Sequence, residues 1–165
     1  MQILQTISPV EAPRGSAVAL GYFDGVHLGH RAVIGAAVRD AAANGLTPAV
    51  FTFELPEGQT LKGGKILSAA QKHHRIAGLG VEQCMEPPFA DFCGLSPEDF
   101  VDTILVHCFG ARSVFCGDNF TFGARAAGNV ALLRQLCASR GIRVQVVEMA
   151  QYGGQAVSST RIRAA

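Results

Sequence analysis

A chain of 165 residues, 48% apolar and 16% charged, is sized for one domain that buries roughly two-thirds of its unfolded surface, and it is too apolar for a disordered segment. A formal charge of +1 and a pI near 7.7 supply no global field for nucleic acid or an anionic membrane, so any anion must be held locally. No run approaches the roughly 20 apolar residues of a membrane span, and five cysteines without a Cys-x-x-Cys spacing read as the reduced thiols of a cytoplasmic protein.

The start, Met1-Gln2-Ile3-Leu4-Gln5-Thr6, lacks the basic region and long apolar core of a signal peptide. An apolar run over 18–23 that ends in glycine is expected to be a strand buried on both faces. The glycine-rich stretch Gly21-Tyr22-Phe23-Asp24-Gly25-Val26-His27-Leu28-Gly29-His30 feeds an alanine-rich helix over 31–43, which Asn44-Gly45 should close. A second strand over 47–53 completes a β-α-β unit and places the glycine-rich turn at the carboxyl edge of the sheet.

Residues 54–65 are polar, rich in glycine and lysine, and read as a long loop of the kind that often covers a site. Ser68-Ala69-Ala70-Gln71 has capping-box spacing and opens a short helix to about 77, followed by a brief strand over 81–85 and a break at Pro87-Pro88. Ser96-Pro97-Glu98-Asp99 starts another helix, with Phe100, Val101, Ile104 and Leu105 as its apolar face. A strand over 112–116 runs into the loop 117–123, and Asn129 caps a helix faced by Val130, Leu132, Leu133 and Leu136. A last strand over 142–147 leads through Tyr152-Gly153-Gly154 to Val157-Ser158-Ser159-Thr160-Arg161-Ile162-Arg163. About five strands alternating with helices predict an α/β fold, with a mainly parallel sheet and helices on both faces, in a single unit without linker or repeat.

Three loops carry chemistry. A glycine-rich turn entering a helix leaves unpaired N–H groups at the positive end of the helix dipole, where phosphate is welcome. Gly21, Gly25 and Gly29 supply the turn, while His27 and His30, at i and i+3, share one helix face as a phosphate clamp, as metal ligands or as surface histidines. Asp24 either orients the turn through its own backbone or faces a metal. In 118–123, Phe120 and Phe122 either stack on a flat ring, with Asn119 hydrogen-bonding to it, or plug the core. Ser158, Ser159 and Thr160 precede two guanidiniums, which makes either an anion site or a capped helix with surface arginines. His73, His74 and His107 have no matched partner by spacing.

Together, Gly21 to His30, Cys116-Gly117-Asp118-Asn119-Phe120-Thr121-Phe122-Gly123 and Val157 to Arg163 resemble the signature loops of the FMN adenylyltransferase (FAD synthetase) module of prokaryotic bifunctional riboflavin kinase/FAD synthetases, within the HxGH nucleotidylyltransferase superfamily. The resemblance implies a Rossmann-like nucleotidylyltransferase fold and the reaction of FMN with MgATP to give FAD and pyrophosphate. It implies catalytic roles for His27, His30, Asn119 and Arg163. Nucleotide contacts would come from Gly21, Phe23, Asp24, Gly25, Gly29, Ser158, Ser159, Thr160 and Arg161, and flavin contacts from Asp118, Phe120, Phe122 and Gly123. Mg²⁺ would accompany ATP and FMN, with neither nucleic acid nor membrane as partner. The riboflavin kinase domain of the bifunctional proteins has no counterpart in these residues, and a separate kinase or another protein partner is left open. Where the family has Pro-His-Pro after Thr-Phe-Glu, this chain reads Leu55-Pro56-Glu57. That departure keeps two alternatives: another phosphorylated acceptor, or a non-catalytic nucleotide- or flavin-binding paralogue.

Overall fold

The computed structural model describes residues 1–23, 28–53 and 69–148. Among them, strands β1 (Gln2–Leu4), β2 (Ser16–Leu20), β3 (Thr47–Phe51), β4 (Gln83–Met85), β5 (Ala111–Gly117) and β6 (Arg143–Val147) form one sheet in the order β1-β4-β3-β2-β5-β6. Every strand pairing is parallel. The sheet thus has one strand more than the roughly five expected, because the three residues of β1 are too few to show a period. Pairing with β4 makes β1 a strand.

β2 lies at the centre and is buried along its whole length, as a continuous apolar run suggests. Its side chains still alternate. Ala17 and Ala19 join the cluster of Val33, Ile34, Ala37 and Ala41 from helix α1 (Leu28–Asn44). Val18 and Leu20 join Phe100, Ile104 and Leu133 on the opposite face. Helices therefore cover both faces, and the small alanines of β2 and α1 make room for close approach.

α1 ends as its sequence predicts. Gly45 takes a left-handed φ of 69°, and the Leu46 N–H donates to the Ala41 carbonyl at 2.9 Å, which is the Schellman closure of a helix. Leu46 then packs on the same core as the helix it terminates. Near that end, Asp40 accepts from Ser113 at 2.6 Å and from both Arg143 Nη atoms at 3.1 and 3.0 Å, tying α1 to β5 and β6.

α2 (Ala69–Gly78) buries Lys72 and Ile76, four residues apart. In α3 (Pro97–Asp99), the Ser96 hydroxyl accepts from the Asp99 N–H at 3.1 Å with proline in the first position, so the expected cap is present. The chain then continues as a π-helix over Phe100–Cys108 that buries Phe100, Val101, Ile104, Leu105 and Cys108. The Phe109 N–H reaches back five residues to the Ile104 carbonyl at 3.1 Å. The apolar face was visible in the sequence, whereas the wider winding was not, since both windings put residues four and five apart on one side. α4 (Val130–Ala138) is capped by Asn129, whose Oδ1 accepts from the Leu132 N–H at 3.0 Å.

Candidate active site

β2 and β5 are neighbours, and the chain leaves them in opposite directions, to α1 and β3 on one side and to α4 and β6 on the other. The crevice beyond the carboxyl ends of such a strand pair is where open α/β sheets bind ligands. A cleft of about 360 Å³ opens there, lined by Gly21, Tyr22, Phe23 and His30 from the first loop and by Asn119, Phe120, Phe122 and Gly123 from the second.

The first loop is held at three points. The Gly21 N–H donates to the Phe51 carbonyl at 3.2 Å, and Thr52 Oγ1 donates to the Tyr22 carbonyl. Phe23, at φ 56°, turns its ring back into the core, where it is 1% exposed. A left-handed non-glycine residue costs on the order of 1–3 kcal/mol and persists only where its surroundings enforce it; burial of the ring does so here. A Cβ at Gly21 would lie 2.8 Å from that ring, so this glycine is required by the phenylalanine two residues on. His30 sits in the first turn of α1, 4% exposed, with its ring edge-on to Phe23 at 5.1 Å. The first turn contains no acidic residue, so no carboxylate of the helix competes for its positive end.

The second loop uses similar means. The N–H of Asp118 donates to the Val147 carbonyl at 3.1 Å and that of Phe120 to the Gly117 carbonyl at 3.2 Å. Phe122 bridges to Gly128, where a Cβ would stand 2.6 Å from its ring. Gly123 takes φ 80°, and its Cβ would meet Pro97 at 2.8 Å. Arg125 and Ala126 are also left-handed, at φ 56° and 54°, and both line the cleft.

Phe122 packs on Phe100 at 5.4 Å and is 5% exposed, yet it also lines the cleft. It serves as core plug and cleft floor together, which joins the two readings of the sequence. Phe120 stacks on it at 5.9 Å. A second group of rings forms an aromatic wall of the same cleft: Tyr22 and Phe53, stacked at 4.7 Å, and Phe89 at 5.3 Å from Phe53. Phe89 is 40% exposed.

The structure thus brings together Gly21, Phe23, His30, Asn119, Phe120, Phe122 and Gly123. Gly29 is buried and Asp118 exposed, and neither is part of the cleft lining. Asp24, Gly25, His27, Ser158, Ser159, Thr160, Arg161 and Arg163 lie outside the described residues. Sequence reasoning missed Tyr22, Phe53, Phe89 and Arg125 as lining residues. Tyr22 and Phe53 each directly follow a strand-ending segment, which was the available signal.

His73, unmatched by spacing, hydrogen-bonds through Nε2 to Glu86. All five cysteines are free thiols. Burial pushes the thiols of Cys84 and Cys116 up to about 12 and that of Cys137 up to about 11, so these three are protonated and unsuited to nucleophilic attack. Among the described residues, no helix is long and apolar enough to cross a membrane.

A doubly wound parallel sheet, a helix N-terminus and an aromatic cleft at the switch point define a Rossmann-like nucleotide-binding protein. The FAD synthetase family model matches residues 10–161, and the chain belongs to that family, whose members are nucleotidyltransferases. A bifunctional riboflavin kinase/FMN adenylyltransferase of Listeria monocytogenes is 36% identical over 90% of this chain and 48% of its own length. An FAD synthetase of the same organism is 29% identical over 96% of this chain and 66% of its own length. The chain spans about half the length of the bifunctional relative. A crystal structure titled macrolide-efflux protein, from Streptococcus pneumoniae, superposes with a TM-score of 0.78 at 26% identity, covering 99% of this chain and 54% of that one.

Proposed function

We propose that this chain is an FMN adenylyltransferase, joining the AMP part of ATP to the terminal phosphate of FMN. The observation that carries the reading is the meeting of two unlike surfaces in one cleft: the first turn of α1 with buried His30, and an aromatic surface reaching to Phe89. The former suits a polyphosphate and the latter a flat ring system.

In the reaction, an oxygen of the FMN phosphate attacks the α-phosphorus of ATP. The bond from that phosphorus to the β-bridging oxygen breaks, and its electron pair leaves with pyrophosphate. The nucleophile is already anionic, so no protein base or thiolate is needed. Catalysis then rests on alignment and on donors aimed at the charge that grows on the phosphates. His30 and the N–H groups of the α1 turn supply donors from the described residues. His27, Ser158, Ser159, Thr160 and Arg163 are proposed to supply the others, and Asn119 to hold the acceptor side. Mg²⁺ enters with ATP as part of the substrate, since it prefers substrate phosphates and waters to an all-protein cage. FMN is proposed to arrive ready-made from a riboflavin kinase, with these 165 residues acting as one adenylyl-transfer unit in the cytoplasm.

Leu55-Pro56-Glu57 favours testing a second acceptor beside FMN. The purified protein is incubated with MgATP and either FMN or other phosphorylated acceptors, and products are separated by chromatography. FAD and pyrophosphate formed in equal amounts are expected. Pyrophosphate release with another acceptor alone would replace FMN as the substrate, and ATP binding without any product would make the chain a binding paralogue.

A further inference from the structure

One charged cluster lies outside the site described above and is nearly closed to solvent. Lys72 and Glu86 are 6% and 3% exposed, and Lys72 Nζ stands 3.0 Å from Glu86 Oε2. His73 occupies the other carboxylate oxygen. Glu86 follows β4, with its N–H bonded to the Leu4 carbonyl at 2.7 Å, so the carboxylate is fixed to the carboxyl edge of the sheet. Lys72 and His73 come from the first half of α2.

A buried ion pair is weak evidence for stability, because desolvating two charges offsets most of their attraction. An apolar pair of similar volume would hold α2 against the sheet as well. What the ion pair does that an apolar pair cannot is place a cation. Lys72 Nζ lies 4.7 Å from the centroid of the Tyr22 ring and 3.5 Å from the Phe53 carbonyl. Tyr22 and Phe53 are the stacked pair that begins the aromatic wall of the cleft. The contacts run from Glu86 to Lys72, to Tyr22, to Phe53 and on to exposed Phe89.

The geometry points to Lys72 as a positioning residue for the acceptor. Glu86 holds the ammonium in place, and the ammonium fixes the orientation of the Tyr22 and Phe53 rings, which receive the flat ring of FMN. Lys72 is absent from the cleft lining and acts through Tyr22 rather than on the reacting phosphates. A cation on an aromatic face is worth most when both are desolvated, as Lys72 is. The nucleotide, proposed to lie against the first turn of α1, should be indifferent to it. This inference rests on FMN as the acceptor.

The test compares Lys72→Met, Lys72→Arg and the double variant Lys72→Met/Glu86→Gln by equilibrium titration with FMN and with MgATP, separately, alongside thermal melting. Lys72→Met should weaken FMN binding about tenfold, the scale of a desolvated cation–π contact, and should lower Tm because Glu86 is left without its ammonium. The double variant removes the stranded charge, so Tm should recover while FMN binding stays weak. Lys72→Arg should retain most FMN affinity, and MgATP affinity should stay within about twofold throughout. Recovery of FMN affinity together with Tm in the double variant would reduce the cluster to a structural one and overturn the proposal. Equal weakening of FMN and MgATP would do the same, as would unchanged FMN affinity in all three variants. If the unmutated protein binds MgATP but no FMN, the acceptor reading falls and this inference falls with it.

Discussion

The loops that follow β2 and β5 solve one problem twice and with different contents. Each leaves a buried strand, each folds a phenylalanine ring back under itself, and each needs a glycine where a Cβ would collide with that ring: Gly21 against Phe23, Gly128 against Phe122. Each also holds non-glycine residues in left-handed backbone, Phe23 in one and Arg125 and Ala126 in the other. What the loops present differs. The first delivers a helix start and a buried histidine, while the second delivers an amide, Asn119, and the rings of Phe120 and Phe122. Left-handed backbone locked over a buried ring is common to both loops, and the difference between them lies in the side chains.

The largest effect is expected from removing the proposed histidine donors. His30→Ala or His27→Ala should lower turnover by about 10²-fold or more, the scale of one preorganised transition-state donor, with FMN binding little changed. Steady-state kinetics with circular dichroism as a folding control would check this, and full activity in either variant would remove that histidine from the mechanism.

Gly128→Ala attacks the device itself. The added methyl must displace the Phe122 ring, at a cost of about 1–3 kcal/mol for overpacking, read as a lower midpoint in urea. Phe89→Ala tests the aromatic surface that adjoins both loops: KM for FMN should rise roughly 2- to 10-fold, the scale of one aromatic contact, while kcat and KM for ATP hold. If ATP suffers instead, the aromatic wall belongs to the adenine.

The smallest effect concerns the framework beneath both loops. Burial alone would raise the Asp40 carboxyl, but hydrogen bonds from Arg143 and Ser113 outweigh it and hold the group below its usual 3.8. A depressed carboxyl means that the unfolded chain binds the proton more readily, so the contribution of Asp40 is whole above about pH 4 and is lost as pH falls through the lower folded value. Melting profiles of the wild type and Asp40→Asn should therefore converge below pH 4, and a constant gap across that range would overturn the assignment.

Much of this was legible in the sequence for identifiable reasons. The buried run of β2, the Asn44-Gly45 stop, the Ser96 and Asn129 caps and the apolar face after Ser96 all express local rules, and the structure bears each out. The meeting of His30 with Asn119 and Phe122 was also foreseeable, because a parallel sheet gathers its carboxyl-end loops. By contrast, β1 exists only by its pairing with a strand some eighty residues later. The partnership of Glu86 with Lys72 and His73 likewise depends on α2 crossing the end of β4, and no spacing in the chain announces it. Local chemistry and the gathering of the carboxyl-end loops were readable, while individual pairings between distant segments were not.

The all-parallel strand order also dictates a history. β2 pairs with β5 through Val18 and Val114, and β1 pairs with β4 through Ile3 and Cys84, so the earliest strands wait for partners made much later. Non-local pairings of this kind slow folding, because a long loop must close before the contact repays it. At a synthesis rate of about 5–20 residues per second, the centre of the sheet keeps one edge uncovered for several seconds on the ribosome. The nascent β-α-β unit is then the part of the molecule most in need of shelter, and the last of its neighbours to arrive is the strand that brings the second wall of the cleft.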